Sequence, residues 1–273
     1  MEAVLSLARR LRTSVGGERV WDIVRPLYWR TVSALAGDRG MFLALPDGHS
    51  YRIDPQFYAW HVDQYEPAVV RELTRTLGPS SIVYDVGAHV GLMTVIAARR
   101  VEAGCVYAFE ASPPNCRLLE RHVRINGFAD RVRVSRVLVG DEELDAVPFV
   151  HRPGQFTANS LAYSVDGGET TPTRMITIDR VIARSESRPP THLKIDVEGY
   201  EGAVLRGARE TLRRYHPLVI CALHPEPLAL LGETTADIVR FMDELGYSAF
   251  HLDGKPAAAP GFEEIVFRAT SES

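Results

Sequence analysis

Ile82-Val83-Tyr84-Asp85-Val86-Gly87-Ala88-His89-Val90-Gly91 is an apolar run that breaks on two glycines and gives way to a helical stretch at 92–100. Glycine lets the backbone turn sharply there and come close to a ligand. From residue 81 onward the chain keeps the same alternation. Apolar strands are predicted at 82–86, 105–109, 132–139, 192–197 and 218–223, with helices at 92–100, 114–126 and 200–214. The last helix carries Val204, Leu205, Ala208 and Leu212 on one face. Strands alternating with helices of about ten residues or more imply right-handed crossovers and a parallel sheet covered on both faces. After the fifth strand come a helix at 234–245, capped by Gly246, and two strands at 248–252 and 264–268. The Asp253-Gly254 turn and a short loop join those strands, and so short a connection favours an antiparallel hairpin.

Ahead of this region, residues 2–36 read as one or two amphipathic helices. Val4, Leu5, Leu7, Ala8 and Leu11 recur at helical spacing, as do Trp21, Val24, Leu27, Tyr28, Val32 and Leu35. Pro46-Asp47-Gly48 separates 42–45 from 51–53 and predicts a small β-hairpin. Pro67 opens a further helix, closed by Gly78-Pro79. The expected organisation is an N-terminal helical extension with a small hairpin at 1–78 and one α/β domain at 79–273. An insertion at 141–187 carries a hairpin-like pair at 147–151 and 174–178 around a Ser-, Thr-, Asn- and Gly-rich segment at 154–168. Loops of that length are usually lids or binding loops.

At 273 residues and 45% hydrophobic the chain can bury one substantial core. Its net charge of −4 offers no global attraction to phosphate backbones or anionic lipid. Nucleic-acid partners are therefore not expected. Cys105, Cys116 and Cys221 are odd in number, widely spaced and free of any CxxC pair, which argues against a disulfide framework or a zinc site. No apolar run reaches the eighteen or so residues of a membrane span, and Arg9, Arg10 and Arg12 interrupt the first apolar stretch. A soluble, cytoplasmic protein is the expectation.

The glycine loop has the spacing Asp85-x-Gly87-x-x-x-Gly91, not the Gly-x-Gly-x-x-Gly of dinucleotide sites. An acid in place of the first glycine would repel a diphosphate. Free N–H groups of Gly87, Ala88, His89 and Gly91 at a helix start would attract an anion, while Asp85 suits an ammonium. The methionine tail of S-adenosylmethionine carries both groups. Glu110 closes the strand at 105–109, about twenty residues on, where α/β cofactor folds accept hydrogen bonds from ribose hydroxyls. It could equally cap the helix that follows Ala111-Ser112.

Leu193-Lys194-Ile195-Asp196-Val197-Glu198-Gly199-Tyr200-Glu201 packs one lysine and three carboxylates where a strand hands over to a helix. Of 31 basic residues only Lys194 and Lys255 are lysine, so a chain that otherwise uses arginine has departed from its habit here. Lys194 and Asp196, two apart, lie on the same side of a strand, so a purely structural ion pair is one reading.

Taken together, Tyr65-Glu66-Pro67, Asp85-Val86-Gly87-Ala88-His89-Val90-Gly91, Val106-Tyr107-Ala108-Phe109-Glu110, Asn115, Asn126-Gly127 and Lys194-Ile195-Asp196-Val197-Glu198-Gly199 with Glu201 resemble the FkbM family of S-adenosylmethionine-dependent methyltransferases. The resemblance covers residues 65–250, about two thirds of the chain. It implies a class I methyltransferase fold, Rossmann-like, with a mostly parallel seven-stranded sheet, an antiparallel last strand and helices on both faces. It also implies methyl transfer, usually to a hydroxyl oxygen. Cofactor contacts would come from Glu66, Asp85, Gly87, Ala88, His89, Gly91, Glu110, Ala111, Ser112 and Asp196. Two positions depart from the family. Ala111 stands where a proline often follows the glutamate, and Ala222 stands where a glutamate often precedes the histidine by two.

Methyl transfer to an alcohol needs the acceptor positioned and its proton removed. Asp196 and His224, at the tips of the fourth and fifth strands, are the candidate bases, with Asp196 leading and Lys194 tuning it. Asp196 with Glu198 offers the hard oxygen ligands magnesium takes, but two carboxylates do not make a site. The expected partner is a small-molecule hydroxyl acceptor, a natural product or sugar, with Phe57, Trp60, Phe156 and Tyr163 as core, lid or acceptor contacts. A nicotinamide-dependent oxidoreductase is the runner-up, disfavoured by the glycine spacing and the antiparallel ending. A non-catalytic binding protein on the same fold is the third reading.

Overall fold

The computed structural model describes residues 31–32, 34–55, 65–151, 169–258 and 260–270. Most of the predicted N-terminal helices lie outside the described residues, as do Phe57, Trp60, Phe156 and Tyr163. The chain divides into two compact units, residues 1–65 and 66–273.

In the first unit β1 (Met41–Ala44) pairs antiparallel with β2 (Ser50–Ile53), Met41 facing Ile53 and Ala44 facing Ser50. The predicted hairpin forms around a turn closed by Gly48 N–H on the Leu45 carbonyl. Asp47 fixes it by accepting from the Tyr51 hydroxyl at 2.5 Å. Alternation buries Met41, Leu43, Tyr51 and Ile53 on one face.

The second unit is built on a seven-stranded sheet. Its strands are β3 (Ile82–Val86), β4 (Cys105–Phe109), β5 (Val132–Ser135), β9 (His192–Ile195), β10 (Leu218–Leu223), β11 (Tyr247–His251) and β12 (Glu263–Ala269). They lie in the order β11-β12-β10-β9-β3-β4-β5. Neighbours from β10 to β5 are parallel, and β12 runs antiparallel to both β10 and β11. This is the Rossmann-like arrangement with an antiparallel last strand that the sequence implied. The crossovers are α2 (Leu92–Arg100), α3 (Pro113–Ile125) and the helices after β9 and β10, while α1 (Pro67–Thr76) precedes β3. Both faces of the central strands are buried, so β3 reads as one continuous buried run and the core gathers Tyr84, Leu193, Leu212, Cys221 and Phe267.

Two predicted elements divide. The strand expected at 132–139 stays in the main sheet only to Ser135, because its parallel partner β4 ends opposite it at Phe109. Beyond that point the chain re-aims, and β6 (Leu138–Val139) joins β8 (Glu169–Ile176) and β7 (Leu144–His151) in a separate three-stranded sheet. That sheet contains a hairpin within the insertion, but residues 147–151 pair with 169–173 and not with the 174–178 stretch expected. The helix expected at 200–214 breaks into α5 (Glu201–Arg206) and α6 (Arg209–Tyr215). Gly207 presses on the Gly140 carbonyl, where a Cβ would stand at 1.9 Å. The restarted helix is capped by the Asp179 carboxylate, which accepts from Glu210 N–H at 3.0 Å and Thr211 N–H at 2.8 Å.

Asp179 lies on α4 (Ile178–Ala183), which the sequence reading did not separate from the hairpin. A short helix, α7 (Pro225–Leu230), also went unforeseen; it opens on proline and is too brief to show periodicity. Helix α8 (Thr235–Glu244) begins with a capping box, Thr234 and Asp237 satisfying each other's backbone N–H.

Candidate active site

The carboxyl ends of four adjacent strands, β10, β9, β3 and β4, carry His224, Asp196, the Gly87–Gly91 loop and Glu110 in that spatial order. Ligands of open α/β sheets bind along this edge. Pairing in register sets Asp85 of β3 beside Lys194 of β9. The Lys194 ammonium lies 3.6 Å from Asp85 Oδ1, 3.3 Å from Asp196 Oδ2 and 3.5 Å from the Gly87 carbonyl oxygen. One buried lysine therefore ties the first glycine motif to the second acidic motif. Asp85 is itself buried and accepts from the Thr94 hydroxyl at 2.5 Å, while its Oδ1 takes no hydrogen bond from the described residues.

The glycine loop is shaped by its own backbone. Gly87 and Ala88 N–H both donate to the Phe109 carbonyl, Gly91 N–H to the Ala88 carbonyl, and His89 N–H to Glu110 Oε2 at 2.8 Å. The amides expected to greet an anion are thus already engaged within the protein. Gly87 (φ +74°) abuts the Asp196 carbonyl, and Gly91 (φ +86°) opens α2 against Leu119. His89 holds a left-handed conformation without being glycine (φ 54°).

Glu110 is buried, and its other oxygen accepts from Ser112 N–H at 2.8 Å and the Asn115 amide at 3.4 Å. Ala111 is buried beside it. Burial pushes the Glu110 carboxyl up to about 7, against the pull of the Ser112 and His89 amides, Asn115 and Lys194. A carboxylate fixed in this way keeps a lone pair on Oε2 free for a hydroxyl donor. Glu66 forms the left-handed N-cap of α1 (φ 43°), where its carbonyl accepts Val70 N–H.

His224 follows β10 directly. Its Nδ1 lies 2.7 Å from Glu201 Oε1, and its Nε2 lies 3.8 Å from Asp196 Oδ1. Burial disfavours a charged imidazole, but Glu201, then Asp196 and Glu198, outweigh it and raise His224 above its ordinary value. Burial also pushes the Asp196 carboxyl up, yet Lys194 and His224 prevail and hold it below the usual carboxylate range. An acid held ionised so firmly is a weak proton acceptor, and the histidine is the stronger base of the two.

Sequence reading missed the neighbour on the other side of this ring. Phe262 packs edge-on to His224, centroids 5.3 Å apart, while remaining 77% exposed. The antiparallel pairing of β10 with β12 brings it there. Leu223 faces Glu263 in register, so the next residues outward, His224 and Phe262, meet. The same register sets Glu264 opposite Ala222, the position where the family often has a glutamate. Among the described residues, no group of three or more His, Cys, Asp or Glu side chains is arranged to hold a metal ion. None of the described helices is long and apolar enough to cross a membrane.

Residues 85–249, more than half of the chain, match the family model of the methyltransferase FkbM domain. The chain belongs to the FkbM methyltransferase family. It is similar to the hexuronic acid methyltransferase AglP of Haloferax volcanii, 27% identical over 182 residues that make up 66% of this chain and 68% of that protein. A shorter likeness, 33% identity over 90 residues, links it to the AMB antimetabolite synthetase AmbE of Pseudomonas aeruginosa, covering 33% of this chain and 4% of the synthetase. Among solved structures, a methyltransferase FkbM from Methylobacillus flagellatus aligns with a TM-score of 0.47 and 20% identity, over 91% of this chain and 60% of that one. The FkbM match spans every strand-end residue of the site from Asp85 to His224.

Proposed function

We propose that this FkbM methyltransferase moves a methyl group from S-adenosylmethionine to a hydroxyl oxygen of a sugar or natural-product acceptor in the cytoplasm, with His224 as the base. The observation that carries the reading is the pairing of His224 with Glu201 on one ring nitrogen, with the other ring nitrogen on the Asp196 side. S-adenosylmethionine, when bound, supplies a methyl group already activated on a sulfonium. The chain's own residues then have to hold the cofactor, orient the acceptor and take one proton.

The donor set fits that cofactor better than a dinucleotide. Glu110 presents a fixed carboxylate of the kind that accepts from ribose hydroxyls. The loop amides of Gly87, Ala88, His89 and Gly91 are engaged within the protein, so they cradle neither a diphosphate nor the carboxylate of S-adenosylmethionine. Asp85 adds a buried negative charge at the same turn. That charge disfavours the diphosphate of a nicotinamide cofactor. Lys194 keeps Asp196 ionised, so Asp196 holds charge and orients while His224 accepts the hydroxyl proton. This moves the base from Asp196, the leading candidate in the sequence, to His224.

The name of the Haloferax volcanii relative makes a uronic acid the first acceptor to try. Incubation with tritiated S-adenosylmethionine and p-nitrophenyl β-D-glucuronide should place label in the glycoside, and His224→Gln should lower that rate about 100-fold or more. Transfer by His224→Gln at the wild-type rate would remove the histidine from the reaction. Binding of NADH without binding of S-adenosylmethionine would remove the cofactor assignment.

A further inference from the structure

We infer that Glu201 is the positioning residue of this site, fixing His224 as the tautomer with its proton on Nδ1 and its bare Nε2 facing the acceptor side. The inference rests on His224 acting as the base and adds the group that makes it one. Glu201 is fully buried in the first turn of α5, and its Oε1 receives two contacts, Gly199 N–H at 2.9 Å and His224 Nδ1 at 2.7 Å. A carboxylate only accepts, so the ring nitrogen facing it must donate. The proton on Nδ1 leaves Nε2 as the lone-pair nitrogen, on the side of Asp196 and the strand ends.

Charge balance supports the same role. Glu201 Oε2 is buried and takes no hydrogen bond from the described residues. Among these residues, the side chain hydrogen-bonded to Glu201 that can become a cation is His224. A proton arriving at Nε2 therefore turns the pair into carboxylate and imidazolium in direct contact, which stabilises the ring at the moment it accepts charge. Asp196 at 3.8 Å and Glu198 face the same ring with the same sign, and Phe262 covers its edge.

The geometry is held from both chains of contact. Gly199 (φ +102°) is pressed on Pro227, where a Cβ would lie 2.3 Å from the proline ring, and the His224 carbonyl accepts Leu228 N–H at the start of α7. The loop that bears Glu201 and the segment that bears His224 therefore share one packed joint.

The test is imidazole nitrogen NMR on the 15N-histidine-labelled full chain, which needs no acceptor and no turnover. In wild type, His224 above its titration midpoint should show a protonated Nδ1 and a bare Nε2, with the midpoint above about 6.5. Glu201→Gln should keep the Nδ1 proton and lower the midpoint by about one pH unit, since a full opposite charge at hydrogen-bond distance is removed. A proton on Nε2 in wild type, or an unmoved midpoint in Glu201→Gln, overturns the inference. Should Glu201→Gln fail to fold, the wild-type tautomer alone decides it. Failure of methyl transfer with the tautomer as stated would count against the proposed function and leave the positioning of His224 intact.

Discussion

Gly87 and Asp196 meet backbone to backbone: a Cβ on Gly87 would stand 1.9 Å from the Asp196 carbonyl oxygen. The glycine of the first motif is thus demanded by the second, since β3 and β9 are neighbours and Asp196 N–H donates to the Val86 carbonyl. Together with Lys194 this contact joins the cofactor-type turn to the acidic strand end.

Gly87→Ala should cost about 2–6 kcal/mol, the sum of a methyl forced onto backbone and an alanine held at φ +74°. Gly127→Ala is the control. It shares the positive φ but has open space around it, and should lose only about 1–2 kcal/mol. Thermal unfolding of both variants checks the pair, and equal losses would mean that the close approach to Asp196 carries no weight.

Lys194→Met leaves Asp85 and Asp196 facing each other across a mostly buried gap. Removing one member of such a cluster should destabilise by about 3–5 kcal/mol near neutral pH. The sign with pH follows from Asp196, whose carboxyl Lys194 and His224 lower despite burial. That stabilisation is full above the ordinary carboxylate value and is lost as pH falls through the depressed one. Denaturant melts should therefore show wild type and Lys194→Met converging toward pH 3, and a constant gap would contradict the ion pair.

Glu110 titrates the other way. Burial, against its four partners, raises its carboxyl from 4.5 to about 7, so the folded state holds a proton the unfolded chain has released. The associated stability is complete below about pH 4.5 and disappears as pH rises through about 7, a loss on the order of 3 kcal/mol. Melts of wild type and Glu110→Gln from pH 5 to 8 should diverge, wild type losing ground as pH rises. Parallel curves would place Glu110 at an ordinary carboxylate value.

Methyl transfer should gain speed as pH rises through the titration of His224, which Glu201, Asp196 and Glu198 hold above its ordinary value in spite of burial. The same proton stabilises the fold, an effect present below about pH 6.5 and lost above the raised value. Rate profiles with the glucuronide probe check the first statement. A rate that falls over that range would assign the ring an acid's role.

Much of this was legible in the sequence, for physical reasons that can be named. Strands β3, β4 and β10 are buried on both faces and bounded by glycine or proline, so their apolar runs mark them clearly. The antiparallel ending followed from a connection too short for a crossover. What stayed hidden depends on contacts distant in the chain. The division of 132–139 is set by where β4 stops, and the break at Gly207 by the Gly140 carbonyl. At the site, Asp85, Lys194, Asp196, Glu110 and His224 were named as chemistry-bearing residues. Their hierarchy was hidden, because Lys194 lowers Asp196 and Glu201 raises His224 across gaps of two and 23 residues. Phe262 gave no signal until the register of β10 and β12 set it beside His224.

Calorimetric titration of S-adenosylmethionine into wild type and Glu110→Ala, with NADH as the competitor ligand, tests the central claim most directly. Wild type should bind S-adenosylmethionine and not NADH, and Glu110→Ala should lose at least tenfold in affinity, about 1.4 kcal/mol, for want of its ribose acceptor. Equal affinity for S-adenosylmethionine in the two proteins, or binding of NADH in its place, would contradict it.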